Sequence, residues 1–163
     1  MTIIDLPKEH LSSYFCCLEE WSEEMQEAGM HKQLWYEKHK EQGLRVKLAV
    51  VDEKPVGMIQ YLPAEKSFIR GENLYVILCI WVHGYKKGVG NHQKRGIGSA
   101  LLKAAEDDVR NRGQTGIAAW GLALPFWMKA SWFKKQGYQP VDKLGISVLL
   151  WKPFIKDAEP PQW

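Results

Sequence analysis

Asn91-His92-Gln93-Lys94-Arg95-Gly96-Ile97-Gly98-Ser99-Ala100-Leu101-Leu102 is the stretch from which this 163-residue chain is read. Before it stands Leu74–Val82, nine consecutive residues without a charge or a turn former. An unbroken run of this kind is the pattern of a strand buried on both faces, central in its sheet. After it comes Ser99–Asn111, which sets Leu101, Leu102, Ala105 and Val109 on one helical face and has Gly113 as its stop. Strand, glycine loop and helix start together aim several backbone N–H groups and the positive end of a helix dipole at one point. That geometry is an anion site. The glycines matter because a side chain there keeps phosphate away from the backbone. A loop that merely turns the corner without a ligand is the plainer alternative.

Two phosphate motifs are excluded. A Walker loop needs Gly-x-x-x-x-Gly-Lys-Ser/Thr, and no frame through Gly84, Gly88, Gly90 or Gly96 supplies it. The dinucleotide fingerprint needs a third Gly or Ala three positions after its second glycine. Leu101 or Gln93 stands there instead, depending on the frame.

Outward from the loop, Thr2–Leu6 reads as a first strand closed by Pro7. Leu11, Tyr14, Phe15, Leu18, Trp21 and Met25 recur at helical spacing, and a second helix is expected over Met30–Glu41, stopped by Gly43. Leu44–Val51 and Pro55–Leu62 read as a hairpin joined at Asp52-Glu53-Lys54, and Pro63–Glu72 as a loop. Gly116–Leu124 reads as a strand, Phe126–Gln136 as a short helix stopped by Gly137, and Ser147–Trp151 as the closing strand. The sum is an α/β chain with a mixed sheet, expected as one domain over residues 1–156 with an extended tail over 157–163. That tail, Ala-Glu-Pro-Pro-Gln-Trp after Asp157, looks exposed and is a candidate docking segment for a partner.

Gln93, Gly96 and Gly98 fit Gln/Arg-x-x-Gly-x-Gly/Ala, which resembles the acyl-CoA pyrophosphate loop of the GNAT N-acetyltransferase superfamily. Phe133-Lys134-Lys135-Gln136-Gly137-Tyr138 resembles that superfamily's helix-to-strand segment, commonly Tyr-Glu-Lys-x-Gly-Phe, and Val148–Pro153 its last strand. The resemblance spans nearly the whole chain and implies a mostly antiparallel, twisted GNAT-like sheet flanked by helices. It implies acetyl-CoA as acyl donor and a small or peptidic amine as acceptor, by direct transfer. The backbone N–H groups of Gln93, Lys94, Arg95, Gly96, Ile97, Gly98 and Ser99 are then expected to cradle the pyrophosphate. Lys94 and Arg95 would add charge toward the 3′-phosphate. Ile80, Trp81 and Val82 would offer a freed strand edge to the pantetheine arm and polarise the thioester carbonyl.

The chain departs from the superfamily pattern in three places. Ten residues, His83 to His92, separate the central strand from the glycine loop, where a short link is usual. A substrate flap and a solvated surface loop both fit this insertion. The tyrosine that often protonates departing CoA falls at Phe133, and the asparagine seven residues earlier at Phe126; both stay in the expected cofactor-binding set by position. A thiol with a pKa of about 8.5 leaves without much help, so the missing acid slows the reaction without forbidding it. Tyr138 or Tyr85 is the substitute acid to consider. His83 is the candidate base, ahead of Glu65 and Glu72, although it equally fits a strand-end cap. Cys79 in mid-strand has no nearby His and reads as an inert thiol. A non-catalytic acyl-CoA-binding or protein-interaction module with the same fold is the alternative reading.

By the same resemblance the first two helices cover the acceptor. Glu19/Glu23/Glu27 and Glu20/Glu24 are like charges at i,i+4, each pair costing about 0.2–0.5 kcal/mol. They either attract a cationic amine or form a solvated face. Trp35, Trp81 and Trp120 are candidates for an aromatic acceptor pocket, with a large aromatic core as the other use of eight tryptophans.

Composition sets the outer limits. Twenty-two Lys and Arg against nineteen Asp and Glu leave +3, too little to argue for nucleic acid, although Lys86–Arg95 holds four basic residues and no acidic one. A nine-residue apolar run falls far short of the roughly 20 residues that cross a bilayer. MTIIDLPKEH has no signal-peptide pattern, and three cysteines, an odd count, suit a reducing cytoplasm. The histidines and cysteines show no paired metal-ligand spacing. A homodimer is expected only from how common dimers are.

Overall fold

The computed structural model describes residues 1–163. The elements are β1 (Thr2–Asp5), α1 (Leu11–Phe15), α2 (Glu23–His39), β2 (Arg45–Val51), β3 (Lys54–Pro63), β4 (Leu74–Val82), α3 (Ile97–Asn111), β5 (Gly116–Leu122), α4 (Ala130–Lys135), β6 (Gln139–Leu144) and β7 (Ser147–Pro153). The strands form one seven-stranded sheet in the order β1-β2-β3-β4-β5-β7-β6. β4 is the middle strand, as its unbroken apolar run requires. β1·β2, β5·β7 and β6·β7 are antiparallel and β4·β5 is parallel, so the sheet is mixed and mostly antiparallel. Asp52 and Glu53 take the left-handed conformation that a two-residue hairpin turn needs.

The first helix is shorter than the apolar periodicity suggests. α1 ends at Phe15, and Cys17 and Leu18 follow at φ 52° and 64°. Leu18 N–H donates to Ser13 O at 2.8 Å and Cys17 N–H to Tyr14 O at 3.1 Å. This is a Schellman stop with cysteine in the glycine position. It turns Leu18 into the core, and the Lys32 ammonium bonds Tyr14 O at 2.6 Å, where helix carbonyls lack partners. α2 then begins at Glu23 rather than Met30, because Ser22 caps it by accepting from Met25 N–H and Glu23 and Glu24 favour its positive end. Gly43, Gly113 and Gly137 are left-handed stops, as expected.

Two compact units divide the chain, one of residues 1–60 and 80–105, the other of residues 61–79 and 106–163. In the first, Leu48, Ala49, Val56, Met58, Ile59, Ile97 and Leu101 are buried. Gly57 lets α3 approach, since a Cβ there would lie 3.0 Å from Leu101 Cδ1 and 3.2 Å from Ile97 Cγ2. The second unit packs Ala64, Ile69, Leu74, Val76, Ala118, Leu149 and Trp151 together.

The C-terminal tail is not free. Arg70 and Gln162 exchange two backbone hydrogen bonds of 2.8 and 2.9 Å, Trp163 N–H donates to Asp142, and the Trp163 ring stacks on Phe68 with centroids 5.8 Å apart. The last tryptophan thus docks on its own chain, where the sequence leaves it looking exposed. The expected helix over Phe126–Gln136 is also cut back. Residues 123–129 are irregular and α4 starts at Ala130. Gly121 fixes that start, because the α4 backbone comes so close that a Cβ would sit 2.7 Å from Ala130 N.

Candidate functional site

The glycine loop ends in α3, which starts at Ile97, two residues before the sequence reading. Lys94 and Gly96 have φ of 61° and 77°, and Arg95 between them does not. Alternation of this kind turns successive N–H groups to one side. The Gly96 carbonyl accepts the first helical bond, from Ala100 N–H at 3.0 Å. The N–H groups of Lys94, Gly96, Ile97, Gly98 and Ser99 reach no acceptor in the protein, while that of Arg95 closes the turn over Gln93 and Lys94. The first turn of α3 holds no acidic residue, and Lys94 and Arg95 are exposed beside it. A Cβ at Gly96 would meet nothing within 4 Å, so glycine is required there by its backbone angle and not by crowding.

The root of the loop is tied to the end of β4. The Gln93 side-chain amide donates to Val82 O at 3.0 Å, and its own N–H is taken by Asn91 Oδ1 at 2.9 Å. Gly84 makes room for that amide, since a Cβ there would lie 2.4 Å from Gln93 Nε2. His83 N–H pairs with Val56 O at 2.9 Å and His83 O with His92 N–H at 2.8 Å. The ten residues from His83 to His92 therefore close on themselves in an ordered loop.

His83 is the hub of that loop and is fully buried. Its Nε2 lies 3.1 Å from Trp21 Nε1, and its Nδ1 lies 2.7 Å from Gly90 O. An indole only donates and a carbonyl only accepts, so His83 must be neutral with its proton on Nδ1. In this arrangement neither ring nitrogen offers a lone pair, and service as a base requires the Trp21 bond to open. Gly88 seats the loop on the same indole, since its Cβ would fall 2.5 Å from Trp21 Cδ1. Glu65, one of the two carboxylates considered as a base, accepts from Asn73 N–H at 3.1 Å.

β4 leaves its parallel neighbour early. The β4·β5 ladder joins Leu74–Ile77 to Gly116–Ala119 and stops. At the next residue the Leu78 carbonyl takes the Trp120 indole N–H, at 3.1 Å, in place of a backbone partner. Burial follows the ladder: the first four residues of β4 are buried and the last five, including Ile80, Trp81 and Val82, are only half-buried. The Trp81 indole N–H is buried and unpaired.

The remaining residues lie in the second unit. Phe126 is 67% exposed in the irregular segment before α4, whereas Phe133 has no exposed surface and packs edge-on against Trp132 and Tyr138. The Tyr138 hydroxyl is buried beside the Glu106 carboxylate, without a well-formed hydrogen bond. Burial, then the Glu106 carboxylate, pushes its pKa well above 10.0. A phenol that weak is a poor acid toward a thiolate of pKa about 8.5. Both Glu106 oxygens are taken by Lys152 Nζ, at 3.2 and 3.1 Å. Of the three tryptophans proposed for one pocket, Trp35 instead stacks on His39 at 4.7 Å and Trp120 meets Trp127 edge-on. Trp21, read as a core residue of the first helix, is 36% exposed and joins the loop instead. Its partner lies 62 residues away in sequence, so no local signal reveals it.

The chain thus combines a mixed sheet, a glycine loop feeding a helix, and a central strand parting from its parallel neighbour. The model of the acetyltransferase (GNAT) family matches residues 5–125, and the chain belongs to that family. It is therefore an acetyltransferase, and the acyl-CoA donor expected from the loop goes with that class. Solved structures share the fold. One is the PaiA N-acetyltransferase from Thermoplasma acidophilum in complex with coenzyme A, at 18% identity and TM-score 0.67, covering 94% of this chain and 100% of that one. A second is the aminoglycoside 6'-N-acetyltransferase from Enterococcus faecium, at 16% identity and TM-score 0.65, covering 98% and 100%. A third is a ribosomal-protein-alanine N-acetyltransferase from Brucella melitensis, at 19% identity and TM-score 0.67, covering 95% and 99%. No curated protein matches the sequence. No helix is long and apolar enough to cross a membrane.

Proposed function

We propose that this chain moves an acetyl group from acetyl-CoA directly onto a primary amine. The observation that carries the reading is the group of N–H donors at Lys94 and Gly96–Ser99, without protein acceptors, at the acid-free start of α3. An anion of the pyrophosphate class satisfies them, with Lys94 and Arg95 adding charge. The half-buried end of β4, Ile80–Val82, supplies the backbone edge for the pantetheine arm and a donor for the thioester carbonyl. The amine nitrogen bonds to the carbonyl carbon as the C–S bond breaks. CoA leaves as thiolate, and the proton lost by the amine passes to solvent. Rate comes from holding the two reactants together and polarising the carbonyl, in keeping with the absence of a well-placed acid at Phe133 or Tyr138.

Calorimetric titration with acetyl-CoA and CoA, followed by thiol release with a panel of amines, tests this. Binding with amine-dependent release is expected, and no binding to either ligand would overturn the reading. Binding without release by any amine would leave an acyl-CoA-binding protein and remove the amine acceptor. Gly96→Glu is expected to weaken CoA binding by about tenfold or more while melting as one folded species. If it kept its CoA affinity, the pyrophosphate would lie elsewhere.

A further inference from the structure

The insertion between β4 and the glycine loop brings three aromatic rings together. Tyr85 lies edge-on to Trp21 with centroids 5.3 Å apart and tilted against Trp81 at 6.3 Å. Tyr85 is 47% exposed and Trp21 36%. The cluster already carries a cation: Lys87 Nζ, from the same insertion, stands over the Trp21 ring 5.3 Å from its centroid. The His83 bond and the Gly88 contact hold that indole in place, so its face is presented at a fixed position.

We infer that Trp21 and Tyr85 form a recognition subsite for a cationic group of the acceptor, separate from the nitrogen that is acetylated. Lys87 is the built-in placeholder that the incoming cation displaces. The inference rests on the amine-acceptor reading above and narrows it to diamines, polyamines or basic peptides. An electron-rich indole face favours an ammonium over a neutral group of equal size. A pre-positioned ring also avoids the entropy cost of assembling one. Glu23 and Glu24, close to Trp21 in sequence, serve the positive start of α2.

Two measurements separate this inference from the reading beneath it. The first uses tetramethylammonium, which cannot be acetylated, titrated into nitrogen-15-labelled protein. The Trp21 indole and Tyr85 amide signals are expected to shift. Lys87→Met should tighten the probe by roughly 2- to 5-fold by removing the internal competitor, and Tyr85→Leu should weaken it by a similar factor. Shifts confined to other residues, or unchanged affinity in Lys87→Met, would overturn the subsite. The second compares cadaverine with pentylamine as acceptors. Tyr85→Leu is expected to lower the ratio of kcat/KM for cadaverine to that for pentylamine roughly 2- to 5-fold. An equal loss for both would overturn it. Trp21→Phe keeps the aromatic face and loses the His83 bond, so retained probe binding in that variant assigns recognition to the ring. Failure of both amines to release thiol would sink the transfer reaction, while the tetramethylammonium result would still decide the subsite.

Discussion

The buried phenol of Tyr138 ties one residue to the pH response of the whole chain. Its pKa stands well above 10.0 because burial and the Glu106 charge both penalise the phenolate. Below pH 10 the folded and unfolded chains both keep this proton, so Tyr138 adds no pH dependence there. Above it the unfolded chain loses the proton first, and stability falls until the folded phenol ionises as well. Tyr138→Phe is expected to remove this part of the alkaline slope in urea melts between pH 9 and 11. Its hydroxyl lies beside the Glu106 carboxylate without a well-formed hydrogen bond to it, so stability at pH 8 should move by less than about 1 kcal/mol. A loss well beyond that would mean that the hydroxyl is bonded after all. Gly121 is the opposite kind of residue, with Ala130 N, Ala130 Cα and Met128 O all within 2.9 Å of where a Cβ would stand. These are backbone atoms that cannot swing aside. Gly121→Ala should cost about 1–3 kcal/mol in the same melts, and a neutral result would show that α4 can retreat.

Among the elements, helix ends separate what is legible in the sequence from what is not. Gly43, Gly113 and Gly137 mark three stops because glycine is the residue a left-handed stop prefers. The end of α1 uses the same hydrogen bonds with Cys17 in the glycine position, so residue type gives no warning, and Leu11 to Met25 reads as one helix. The stop is held by Lys32, fifteen residues away from Cys17, whose ammonium also lies 3.3 Å from that sulfur. Cys17→Gly is expected to raise stability by about 1 kcal/mol by relieving the left-handed strain. A drop in the urea midpoint would mean that the sulfur contact outweighs that strain. The glycine loop is legible for the reason that α1 is not, since all its determinants lie within Gln93–Ser99. The His83–Trp21 contact, the exposed setting of Phe126 and the docked tail depend on residues brought together from afar, and periodicity does not encode them.

Over the whole molecule, the tail contributes to stability through its return to the Arg70 segment. Trp163→Ala removes a ring stacked on Phe68 and should cost roughly 1–2 kcal/mol in chemical denaturation. No change would return the tail to service as a partner-docking segment. The insertion is likewise knitted into the chain, through Trp21 and Val56, so its order is built from contacts outside itself. A contact at the loop root constrains how this sequence can drift. Positions 84 and 93 share a single space, since a methyl at Gly84 falls where the Gln93 amide now sits. Neither site is free to vary alone. A lineage that acquires alanine at 84 must shorten residue 93 or let the loop root come away from the central strand, so the two positions are expected to change as a pair.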